Sequence, residues 1–91
     1  MLKIIQSHKF KKDLKLARKR NLDLQELKIV IMKLANQETL DEKYHDHALS
    51  GNYSDFRECH IKPDWLLIYA TDDKELELFL IRTGSHSDLF V

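Results

Sequence analysis

The chain has 91 residues, 43% of them hydrophobic, with 15 Lys and Arg balancing 15 Asp and Glu. That length supports one hydrophobic core, so residues 1–91 are expected to form a single domain. One cysteine, Cys59, excludes an internal disulfide, and no apolar run approaches a membrane span or a signal peptide, so a soluble cytoplasmic protein with no membrane partner is expected.

In chain order, Leu2 to Ile5 reads as a short strand. Ser7 is placed to cap a helix in which Phe10, Leu14 and Ala17 share one face and the Lys and Arg residues the other. Asp23 is placed to cap a second helix carrying Leu24, Leu27, Val30, Ile31 and Leu34, and the short connection predicts a helical hairpin. Asn36 to Tyr44 is a polar loop, and Ser50-Gly51-Asn52 is a turn signal. Three strands follow. Tyr53 to His60 and Trp65 to Thr71 flank a turn at Pro63. Glu75 to Arg82 has Leu76, Leu78 and Leu80 on one face and Phe79 and Ile81 on the other. Gly84 ends the last strand, and Ser85 to Val91 is a tail with about one helical turn. The order βααβββ predicts an α+β fold with a mainly antiparallel sheet against the helical hairpin.

The charge is unevenly spread. Residues 1–33 carry +7 and residues 34–91 carry −7, with four of the five histidines in the second part. A basic face for a polyanion is one reading; ordinary solvated helix faces are the other.

The candidates for chemistry are His47, His60, Asp64, Arg82 and His86, which the hairpin topology gathers at one end of the sheet. Imidazoles titrate near neutral pH and can serve as general base and general acid, and Asp64 can orient one of them or raise its basicity. Arg82 suits a phosphate, and Trp65 and Phe90 are candidate surfaces for base stacking, although Trp65 fits a core position equally well. This is equipment for RNA cleavage by the strand's own 2′-hydroxyl, with no metal or other cofactor. His45 and His47 with His60, His86 and Asp64 could instead hold zinc, but Arg82 would set a positive charge beside the ion. Cys59 reads as a small buried hydrophobe and His8 as a surface residue.

Tyr44-His45-Asp46-His47-Ala48-Leu49-Ser50-Gly51, the run from Phe56 to Tyr69, and Arg82 to Phe90 together resemble the YafQ branch of the RelE/ParE toxin superfamily. Phe10, Lys12, Asp13 and Lys15 in the first helix fit as well, so the resemblance covers nearly the whole chain. It implies a microbial-RNase-like α+β fold and a type II toxin held inactive by a cognate antitoxin. The implied activity is that of an endoribonuclease cutting mRNA in the ribosomal A site. Catalytic roles would fall on His47, His60, Asp64 and His86, with His86 as acid and His60, oriented by Asp64, or His47 as base. Arg82 would bind phosphate, Trp65 and Phe90 would line the site, and the basic helices would dock on ribosomal RNA through Lys11, Lys12, Arg18 and Lys19. The alternatives are a ParE-like toxin acting on gyrase, against which the histidine set argues, and a catalytically poor module that only binds antitoxin and aids repression.

Overall fold

A computed structural model describes residues 1–90; Val91, the end of the expected tail, lies outside the described residues. The chain runs β1 (Lys3–Gln6), α1 (His8–Lys19), α2 (Leu24–Ala35), β2 (His47–Ala48), β3 (Arg57–Lys62), β4 (Trp65–Asp72), β5 (Glu77–Gly84) and α3 (His86–Leu89). Single 3₁₀ turns at Glu42–Tyr44 and Gly51–Tyr53 flank β2. The strands form one sheet in the order β1-β5-β4-β3-β2, with β1 parallel to β5 and every other pair antiparallel.

Local chemistry accounts for the helices. The Ser7 hydroxyl accepts the Phe10 amide at 2.9 Å and donates to the Ile81 carbonyl at 2.6 Å, so one side chain starts α1 and ties it to β5. Phe10 and Ala17 go into the core while Lys11, Lys12, Arg18 and Lys19 face solvent. Asn21, with φ of 57°, turns the chain, and Asp23 caps α2 by accepting the Glu26 amide at 3.2 Å. Among the described residues no helix is long and apolar enough to cross a membrane.

The core lies between the helices and one sheet face. Phe10, Leu27, Val30 and Leu34 pack there with Cys59, Ile61, Trp65, Leu67, Tyr69, Leu78 and Leu80. Two β-bulges decide which side chains share that face. One falls between His60 and Lys62, so His60 pairs with Leu66 while Lys62 pairs with Trp65. A regular two-residue hairpin would pair His60 with Leu67 and put it on the Trp65 face. The extra residue, Ile61, instead goes into the core, and His60 emerges on the opposite face. A second irregularity lies between Ile68 and Tyr69, which pair with Arg82 and Leu80, so Leu80 stays buried while Arg82 turns to the other side.

Three expectations need correction. Leu76 is 56% exposed and outside β5, with φ of 56°. The Asp72 carboxylate accepts the amides of Lys74 and Glu75 at 3.0 and 3.1 Å, which holds the connection in a longer turn. Tyr53 belongs to the 3₁₀ turn, so β3 begins at Arg57. The loop before the strands contains a short strand of its own, in which His47 pairs with Glu58.

Candidate active site

The turn between β3 and β4 and the start of α3 meet at one end of the open sheet face. Each element of the last motif has a task there. Thr83 accepts Trp65 Nε1–H at 2.9 Å and donates to the Leu66 carbonyl at 2.7 Å. A Cβ on Gly84 would lie 3.0 Å from both Cβ and Oδ2 of Asp88, so any other residue there would press α3 away from β5. Ser85 and Asp88 form a reciprocal capping box, and Asp88 also takes Arg20 at 2.8 Å. His86 is thereby fixed as the first residue of α3.

Asp64 accepts the His86 backbone amide at 3.2 Å and His86 Nδ1–H at 3.0 Å. These bonds, the ring's contribution first, hold the Asp64 carboxyl below its ordinary range. The expected pairing of Asp64 with His60 is therefore corrected. His60 Nδ1 faces the Pro63 carbonyl at 3.2 Å, which turns Nε2 toward Glu58 at 3.9 Å. His47 Nδ1 contacts the His45 carbonyl at 2.6 Å, and its Nε2 lies 3.1 Å from Glu58 Oε2. Asp46 anchors this arm by accepting the Tyr69 hydroxyl at 2.5 Å and pairing with Arg57 at 3.3 Å.

Glu58 is a residue that the sequence reading missed. It is 5% exposed, and its Oε1 is buried without a hydrogen-bond partner among the described residues. The signal was present, because Glu58 and His60 lie two apart on a strand and so share a face.

The rings form a continuous track. Centroids of His45 and His60 are 5.6 Å apart, His60 and His86 5.8 Å, His86 and Phe90 6.3 Å, and Phe90 and Tyr53 5.9 Å. His47 stands 6.3 Å from His60. Phe90 and Tyr53 are 40% and 43% exposed. Trp65, by contrast, is 3% exposed and sealed into the core by its bond to Thr83, so its expected role in stacking is corrected. Tyr53 supplies the second exposed ring.

Arg82 lies on the open face, but Asp13 of α1 already engages it, at 2.6 Å to Nε and 3.1 Å to Nη2. The same carboxylate accepts the Thr83 amide at 3.1 Å. Asp13's hydrogen bonds raise the guanidinium pKa first, with Asp88 and Tyr53 adding through space. Among the described residues no group of three His, Cys, Asp or Glu side chains is arranged to hold a metal ion.

This chain matches, over residues 2–91, the family described as bacterial toxin of type II toxin-antitoxin system, YafQ. It is 42% identical over 85 residues to the mRNA interferase toxin YafQ of Escherichia coli K12, covering 92% of this chain and 90% of that protein. A metal-bound toxin from Helicobacter pylori shares 52% identity with a TM-score of 0.94, covering 99% of this chain and all of the other. The toxin in the E. coli DinJ–YafQ complex shares 39% identity with a TM-score of 0.90, and each chain is covered in full. The chain belongs to the YafQ family of bacterial type II toxins, as the three motifs had indicated.

Proposed function

We propose that this protein is a toxin that acts as an mRNA interferase, cutting translated message in the ribosomal A site and restrained by a cognate antitoxin. The observation that carries the reading is the 5.8 Å spacing of the His60 and His86 rings, each with its own carboxylate: Glu58 3.9 Å from one and Asp64 3.0 Å from the other. A strand lying between them meets a base on one side and an acid on the other.

His60 Nε2 takes the proton of the 2′-hydroxyl, and Glu58 stabilises the imidazolium that forms. His47 holds Glu58 in place through the 3.1 Å contact. The freed 2′-oxygen attacks phosphorus, and the bond from phosphorus to the 5′-oxygen breaks. His86 gives its proton to that leaving oxygen, leaving a 2′,3′-cyclic phosphate and a 5′-hydroxyl. Asp64 orients His86 through its two hydrogen bonds. The step needs no metal; because a relative from H. pylori is metal-bound, chelation by EDTA tests this directly. Phe90 and Tyr53 offer faces for bases, and Arg82, held by Asp13, is the cation for the phosphate. Lys11, Lys12, Arg18 and Lys19, all exposed on α1, are the surface for ribosomal RNA.

The deciding experiment maps cuts in a translating message by primer extension, for wild type and His86→Ala, with naked RNA plus and minus EDTA alongside. Codon-phased cuts that vanish in the variant are expected, with any cleavage of naked RNA unaffected by EDTA. No cuts from folded wild type would shift the reading to gyrase poisoning or to an antitoxin-binding module.

A further inference from the structure

Beyond His45 and His60 the ring track opens into a cleft of about 480 Å³ between the Glu42–Tyr44 turn and the β3–β4 turn. Its lining includes Glu26, Lys43, Tyr44 and Lys62. That volume falls within the range of about 300–1,000 Å³ typical of small-ligand sites. The placement of Glu26 is unusual. It is the third residue of α2, from which a carboxylate commonly reaches back to the cap amide. Here its Oε1 instead accepts the Tyr44 hydroxyl. Tyr44 is 4% exposed, and Glu26's hydrogen bond, with burial second, pushes its phenol up to about 12, so it remains a donor at neutral pH. One oxygen of the carboxylate is thus tied to Tyr44, and among the described residues no hydrogen bond engages Oε2. The lysines give the same cleft positive charge. A nucleotide entering with its phosphate toward the lysines and its base toward Glu26 satisfies both signs of charge; the reverse orientation places phosphate against carboxylate.

We propose that this cleft is a base-selecting subsite for the nucleotide carrying the attacking 2′-hydroxyl, in which Glu26 accepts a hydrogen bond from an exocyclic amino group. The inference rests on the RNase reading above, which places the 2′-hydroxyl on the His60 side. Adenine, cytosine and guanine all carry an amino donor. Uracil offers only a ring N–H between two carbonyl oxygens, which a fixed carboxylate repels. Uracil is therefore disfavoured immediately 5′ of the cut.

The test compares complete cut maps on a translated message containing every codon, for wild type, Glu26→Gln and Tyr44→Phe, with thermal melts for each. Frequencies are taken as the ratio of amino-bearing bases to uracil within each map, so changes in overall rate cancel. A wild-type bias on the order of tenfold is expected, consistent with one hydrogen bond to a charged group. Glu26→Gln, whose amide donates to uracil O4, should bring the ratio to parity or below. Tyr44→Phe, which releases the carboxylate, should weaken it. A Glu26→Gln or Tyr44→Phe map from folded protein that superimposes on wild type, or a wild-type map without the bias, overturns the subsite while the nuclease stands. Absence of wild-type cuts overturns both.

Discussion

Asp64 holds His86 at two points, the backbone amide at 3.2 Å and ring Nδ1 at 3.0 Å, across 22 positions of sequence. The turn between β3 and β4 is thereby locked to the first residue of α3. His86→Ala should lower cleavage by on the order of 10²–10⁴, the worth of one acid–base group. Because the ring's hydrogen bond is the largest cause of the depressed Asp64 pKa, that pKa should rise toward its ordinary value in the variant. Carboxyl carbon shifts followed by NMR would show it, and an unmoved titration would dissociate the pair.

Glu58 combines burial, an Oε1 without a partner among the described residues, and contact with two imidazoles. A carboxylate kept in such a place is costly to the fold and useful to the site. Glu58→Gln should lower single-turnover cleavage by at least about 100-fold. The melting temperature should hold or rise, because a neutral amide costs less to bury than a charge. A variant that keeps its activity would remove Glu58 from the chemistry.

Trp65 and Tyr53 should respond in opposite ways. Trp65→Ala empties a core position and should destabilise the protein by about 3–5 kcal/mol, visible in a denaturant titration. Tyr53→Ala removes an exposed ring and should change stability by no more than about 0.5 kcal/mol while weakening RNA binding on the order of tenfold. Tyr53→Trp should restore that binding, since any flat ring stacks. A rise in KM for Tyr53→Ala with kcat preserved would separate stacking from catalysis.

Asp88 gives the acid behaviour a definite sign. The Arg20 hydrogen bond, then the Ser85 amide, hold its pKa down at about 2. A carboxylate depressed by folding stabilises the protein above its unfolded value near 3.8, and that contribution disappears as pH falls through the folded value of about 2. Acid unfolding should therefore contain a component between those two values that Asp88→Asn lacks. Circular dichroism across that range measures it, and coincident curves would show that the Arg20 pair and the capping box contribute nothing.

Much of this molecule was legible locally. Helix caps at Ser7 and Asp23, the apolar stripe through Phe10 and Ala17, and the strand from Trp65 onward depend on neighbours within a turn or two, so the sequence alone determined the α+β order and both helices. The convergence of His47, His60, Asp64 and His86 was readable from hairpin topology, because antiparallel pairing returns the end of β5 to the start of β4. The facing of individual side chains was decided only by tertiary structure. A single bulged residue, Ile61, drawn into the core, reverses the alternation along β3 and puts His60 on the face opposite Trp65. Asp64 lies on the turn beyond that bulge, where it meets the α3 terminus and pairs with His86, leaving His60 to Glu58. Alternation is a local rule, but the position of a bulge depends on which side chain the packed core accepts. Pairing across a site likewise depends on where separate elements meet, which is why the wrong partner for Asp64 and the wrong aromatic ring were the natural readings of the chain by itself.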